Sequence, residues 1–122
     1  MKTKIPASNV NLKRAYEPPD ADDGTRILID RLWPRGISKE RAAIDQWMKD
    51  ISPSAELRKW FGHDPARWNE FRRRYAQEVH KNRDLLDQLR SLARQRRITL
   101  VYSAHDEKYN DAVELRELIL RQ

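Results

Sequence analysis

Two short apolar runs constrain this chain more than anything else in it. The first, in "RILIDRLWPRG", places Ile27, Leu28 and Ile29 in succession with no polar gap. A strand written this way is covered on both faces, which favours an interior position in a sheet. The second, "ITLVYS" from Ile98 to Ser103, reads as another strand. About half the chain lies between them, so no tight hairpin joins the two. The intervening sequence from Ser52 onward is strongly helical. Ser54 is placed to cap a helix through "AELRKWF", and Gly62 to end it at C′. Asp64-Pro65 then reads as N-cap and N1 of the next helix. There Trp68, Phe71, Tyr75 and Val79 share one stripe. A third helix turns Leu85, Leu86, Leu89, Leu92 and Ala93 inward and sets Arg83, Arg90, Arg94 and Arg97 on the opposite side.

The remaining segments are less decisive. "NVNLKRAY" alternates weakly and reads as a first short strand. Residues 17–25 form an acidic loop, with two prolines and a glycine that leave little to pair or pack. Ser38 is placed as an N-cap for a short helical turn in "GISKERAA". "AIDQWMKDI" is ambiguous: Ile44, Trp47 and Ile51 fit a helical face, with a short strand as the alternative. "AHDEKYN" is a loop, and "DAVELRELIL" closes the chain as a helix. The order strand, helices, strand, helix predicts a small single-domain α/β fold over residues 1–122, a short, mainly parallel sheet covered by helices. Ile27, Leu28, Ile29, Ile98, Leu100 and Val101 should lie in paired strands under Trp68, Phe71, Leu86, Leu89 and Leu118.

Composition narrows the function classes. The 122 residues contain four Trp, four Tyr and two Phe, too many large apolar anchors for a disordered chain. Cysteine is absent, which excludes a disulfide scaffold, a thiolate nucleophile and a Cys-ligated metal, and suits a reducing cytosol. No apolar run approaches membrane-spanning length, and "MKTKIPASNV" lacks the apolar stretch of a secretory signal. A soluble cytoplasmic protein is expected. The net charge of +6 is concentrated between Arg58 and Arg97, where 12 basic residues face 5 acidic ones. Such a field attracts anions, either nucleic acid or a small phosphate or carboxylate.

The chemistry-bearing residues cluster at the ends of the two clear strands. Strand alternation puts Ile27, Ile29, Arg31 and Trp33 on one side and Leu28, Asp30 and Leu32 on the other. The C-terminal ends of parallel strands are where open α/β sheets bind ligands. Arg31 and Arg35 there would flank a concave site beside Trp33, since guanidinium grips carboxylate or phosphate in a bidentate fashion. The competing reading is an ion pair of Asp30 or Arg31 that locks the strand end, with Trp33 as a core lid. Arg72 projects beside the aromatic stripe, placed either to pair with Asp30 or to join the anion site. Ser103, His105 and Asp106 sit at or past the end of the second strand. They are the right types for nucleophilic catalysis, but there is no GxSxG elbow and a triad is defined by geometry. A helix cap is the simpler role for Asp106 or Asn110. His63 has no obvious structural duty in its turn and would suit proton transfer if the turn folds over the crevice. His63, His80 and His105 show no metal spacing, so no metal is expected, and no cofactor.

The segments carrying DRLWPRG, LRKWFGHDP and LVYSAHD resemble the YeaO-like bacterial family, domain of unknown function 488. The resemblance spans nearly the whole chain after the acidic loop, and the motifs are long and unusual. It implies a compact bacterial cytosolic protein and brings no reaction with it. Another branch of that family carries cysteines in the last-strand region, where this chain has Ser103. The resemblance also implies a shared pocket lined by these polar and aromatic motifs.

The expectation is therefore a pocket for a small anionic ligand, in a protein that is or is not an enzyme. Arg31, Arg35 and Lys59 would hold the anion, with Arg72 beside them, and Trp33, Trp60 and Tyr102 would wall the site. His63, Asp64, Ser103 and His105 are the candidates for polar or proton-transfer roles. The rivals are a non-specific nucleic-acid-binding module using the outer basic helices, and an interaction protein with no ligand.

Overall fold

The computed structural model describes residues 4–121; residues 1–3 and 122, which the sequence reading includes in the same domain, lie outside them. Among the described residues four strands form one sheet: β1 (Val10–Arg14), β2 (Thr25–Leu28), β3 (Gln46–Trp47) and β4 (Ile98–Tyr102). Their order is β1-β4-β2-β3, and every neighbouring pair is parallel. β4 is thus interior, with Leu100 in register with Leu12 on one side and Ile27 on the other. The pairing of β2 runs one residue past the strand, where the Ile29 N–H donates to the Val101 carbonyl at 3.1 Å.

The helices divide between the two faces. Helix α1 (Lys39–Ala42) covers one, where Leu28 and Val101 pack with Ala15, Ile37 and Ala42. The other face carries α2 (Ala55–Phe61), α3 (Trp68–Lys81), α4 (Arg83–Gln95) and α5 (Asp111–Leu120). Ile27, Ile29, Ile98 and Leu100 are buried there with Phe71, Leu86, Leu89 and Leu118, and Trp68 packs against them half-buried. Both faces of β2 and β4 are therefore dry, as an unbroken apolar run requires.

Local chemistry sets the helix boundaries. The Ser54 hydroxyl accepts from the Leu57 N–H and donates to Glu78, so one residue caps α2 and ties it to α3. Gly62 ends α2 at φ 54°, where a side chain would be strained. Asp64 and Pro65 open a 3-10 turn that runs into α3. Asn110 caps α5 through the Val113 N–H. The aromatic stripe on α3 stacks inward, Phe61 on Phe71 at 4.4 Å and Phe71 on Tyr75 at 5.8 Å. The fully buried Tyr75 hydroxyl donates to the Ile51 carbonyl at 2.7 Å, which satisfies it.

Three placements differ from the sequence expectation. Trp33 does not continue the side of Ile27 and Ile29. The chain turns after Ile29, so alternation stops, and Trp33 packs edge-on to Trp47 at 5.5 Å in the smaller layer. The segment around residue 47 is neither one helix nor one strand. It is the two-residue β3 followed by a 3-10 turn at Lys49–Ile51, which sends Trp47 and Ile51 to opposite layers. Arg90 does not face outward as a free charge. It donates to the carbonyls of Leu118 and Arg121 at 2.8 and 2.6 Å and caps the C-terminal end of α5.

Candidate functional site

The chain leaves β2 toward the α1 face and leaves β4 toward the α5 face. Between the C-terminal ends of these neighbouring strands the backbone diverges and leaves a cavity of about 500 Å³. Three separated stretches line it: residues 30–35, residues 103–105 and the 109–111 entry to α5. Helix α2 adds Arg58, Phe61 and, past its end, His63.

At its floor stands Asp30. One carboxylate oxygen, Oδ2, accepts both the Ser103 N–H at 2.9 Å and the Ser103 hydroxyl at 2.6 Å. The Asp30 carbonyl accepts from the Trp47 indole at 2.7 Å, which fixes the loop against the smaller layer. Burial pushes the Asp30 carboxyl above its ordinary range, against the two Ser103 donors and the charge of Arg58. Asp111 faces the same cavity. Burial and the charge of Asp30 push it up to about 7, opposed by nearby backbone N–H groups and by Arg58. The two acids and Arg58 form one electrostatic group.

The rim is cationic. Arg31 and Arg35 are exposed on the loop after β2, and Arg58 is exposed on α2. Among the described residues none of these three guanidinium groups forms an ion pair or a side-chain hydrogen bond. Their neighbours elsewhere do: Arg26 with Asp23, Arg72 with Glu114, Arg73 and Arg74 with Glu70. Tyr16 reaches the rim and donates to the Arg35 carbonyl at 3.2 Å, with Arg14 over its ring.

The two rim histidines differ. His105 is exposed, and its Nδ1 lies 3.3 Å from an Arg14 guanidinium nitrogen. Arginine only donates, so Nδ1 accepts and the neutral ring carries its proton on Nε2. His63 sits at φ 58°, directly after Gly62 in the same left-handed region. A non-glycine residue there is strained, and such strain gathers at functional sites. Ser103, His105 and an acid do not form a triad: the Ser103 hydroxyl is committed to Asp30, and His105 to Arg14.

Of the sequence-selected residues, Arg31, Trp33, Arg35, His63, Ser103 and His105 line the cavity. Lys59, Trp60, Asp64, Arg72 and Tyr102 do not. Helical phase explains the first two: Arg58 and Phe61, three residues apart, share the cavity side of α2, and Lys59 and Trp60 lie further round. Trp60 lies instead against the guanidinium groups of Arg67 and Arg74, at 5.4 and 4.3 Å. Asp64 caps the turn before α3 through the Ala66 N–H. Arg72 is held by the buried Glu114 at 2.9 Å, not by Asp30. Tyr102 is buried in the larger core. The sequence reading omits Arg58 and Asp111. Only the spacing of Arg58 to Phe61 hinted at the former, and nothing local marks Asp111 beyond its place after a capping Asn110. No group of three His, Cys, Asp or Glu suited to a metal occurs among the described residues, and no helix there is long and apolar enough to cross a membrane.

A family model described as "Inactive DUF488-N3 subclade" matches residues 9–122. The "Uncharacterized protein YeaO" of Escherichia coli K12 is 42% identical over 107 residues, covering 88% of this chain and 93% of that protein. Proteins Mb3100c of Mycobacterium bovis and Rv3073c of Mycobacterium tuberculosis H37Rv are each 39% identical over 112 residues, covering 92% of this chain and 94% of theirs. No solved structure matches.

Proposed function

The chain belongs to the DUF488 family, and from that premise we propose that it binds a small anionic ligand, a phosphate or carboxylate, at the C-terminal ends of β2 and β4. One observation carries the reading: Arg31 and Arg35 line a single cavity and form no ion pair among the described residues, with Arg58 beside them as a third cation shared with the two acids. Like charges left together in this way are repulsive, and a fold tolerates them chiefly where function needs them. The planar guanidinium fork matches the oxygens of carboxylate and phosphate. Trp33, Phe61 and Tyr109 supply apolar wall.

Binding without turnover is the favoured form of this reading. The matching family model is described as inactive, and cysteine is absent. The Ser103 hydroxyl is already a donor to Asp30. Ser103 in this reading orients Asp30, and His63 and His105 contact the ligand from the rim. Nucleic-acid binding by the outer helices has less support, because Arg90 and Arg97 each donate to backbone carbonyls.

Thermal melts with added phosphate, against chloride at equal ionic strength, test the proposal. The wild type should gain stability with phosphate by mass action, and Arg35→Gln and Arg58→Gln should lose that gain. No phosphate-dependent shift in the wild type, or one that survives in both variants, would overturn it.

A further inference from the structure

Resting on the anion-pocket reading, we infer that the ligand is a phosphorylated polyol, its phosphate on Arg31 and Arg35 and its hydroxyls on Asp30 and Asp111. The argument lies in how unlike the rim and the floor of the one cavity are. The rim carries two guanidinium groups with no partner among the described residues. The floor carries two carboxyls, and the rim's Arg58 acts on both through space. A simple inorganic anion would use the rim and leave those acids idle, or be repelled by them.

Asp30 is also built with one side open. Both Ser103 donors converge on Oδ2, and Oδ1 receives no hydrogen bond among the described residues. A rigidly held carboxylate whose second oxygen is open to the cavity can accept from a donor on the ligand. An ammonium group is one such donor, but Arg58 already supplies a positive charge to both acids. With Asp111 protonated over part of the neutral range, the floor is close to charge balance and can both accept and donate hydrogen bonds. Hydroxyl groups need both and bring no charge. The flanking rings of Phe61, Phe71 and Tyr109 suit the C–H face of a sugar, and about 500 Å³ falls in the range usual for small-molecule sites.

Calorimetric titration with ribose 5-phosphate, 2-deoxyribose 5-phosphate, inorganic phosphate, adenosine monophosphate and free ribose separates the possibilities. Ribose 5-phosphate should bind about tenfold or more tighter than phosphate. The deoxy compound should lose a large part of that gain, a ligand-side result that no folding defect can mimic. Asp30→Asn and Asp111→Asn should reduce ribose 5-phosphate to the affinity of phosphate, while Arg35→Gln should weaken both. Equal binding of phosphate and ribose 5-phosphate would overturn the polyol inference and leave the anion reading standing. Absence of binding by every phosphate compound would remove both. A further gain for adenosine monophosphate that survives in both Asn variants would mean that a base, not hydroxyls, is recognised, and would also overturn the inference.

Discussion

The two ends of the sheet treat charge in opposite ways. At the N-terminal end of β2 the buried Arg26 is fully engaged: Nε and one terminal nitrogen donate to the Ala42 carbonyl, and the other bonds Asp23 at 2.6 Å. Lys13 meets the same Asp23 at 3.1 Å. Burial alone would raise the Asp23 carboxyl, but the Asp20 N–H, Lys13 and Arg26 together hold it below its ordinary range. At the C-terminal end Asp30 and Asp111 are pushed up instead, Arg58 acts on both of them through space, and Arg31 and Arg35 form no ion pair among the described residues. Charge that serves architecture is neutralised on site. Arg31 and Arg35, without an ion pair at the other end of the same strands, are the charges on which the proposed anion site rests.

The largest expected effect lies at the architectural end. Arg26→Ala takes the shorter of two ion pairs from Asp23 and both side-chain donors from the Ala42 carbonyl, and should cost about 3–5 kcal/mol in urea unfolding. A loss no greater than that of Arg35→Gln would erase the contrast between the ends. Next comes pH. Asp111 titrates at 3.8 when unfolded and at about 7 when folded, so folding takes up a proton between those values. Its contribution is fully present below the unfolded value and is lost as pH rises through 7. Asp111→Asn should therefore be more stable than wild type at pH 8, by up to about 4 kcal/mol, with the gap closing toward pH 4. Asp23, shifted the other way, contributes stability above its unfolded value and loses it on acidification, so Asp23→Asn should flatten the acid limb instead. Paired melts across pH would read both limbs, and identical profiles for the two variants would contradict the distinction. His63→Gly releases the left-handed strain and should stabilise by about 1 kcal/mol. Destabilisation there would show that the ring holds the turn. The smallest effect belongs to Arg35→Gln, within about 0.5 kcal/mol of wild type in buffer, with its phosphate response gone.

The sequence disclosed what depends on periodicity and local caps. β2 and β4 were legible from their apolar runs, and Ser38, Ser54, Gly62 and Asp64-Pro65 from turn and capping chemistry that acts within four residues. β3 was not, because two residues carry no period. Trp33 was assigned to the wrong layer because alternation holds only while the chain stays extended. The cavity's position followed from strand direction, and six of the chosen residues line it. Its acid pair was hidden, since both acids are set by burial and by Arg58, and Asp111 also by the charge of Asp30, 81 positions away in sequence. Arg90 looked like surface charge because the carbonyls it satisfies belong to another helix.

The interior place of β4 has a consequence for synthesis. Its two hydrogen-bonding partners, β1 and β2, leave the ribosome first and do not pair with each other in the finished sheet. Ile27, Leu28 and Ile29 must then wait for Ile98 to Tyr102 to emerge, several seconds at about 5–20 residues per second. Long-range parallel pairing of this kind forms slowly once it can begin. Through that interval the nascent chain displays an apolar strand with one edge unpaired and only the two-residue β3 to bond the other, the feature that holding chaperones bind and that seeds aggregation. A chain released before Ile98 would keep that strand exposed for good, so premature termination in this protein should yield insoluble fragments rather than shortened folded ones.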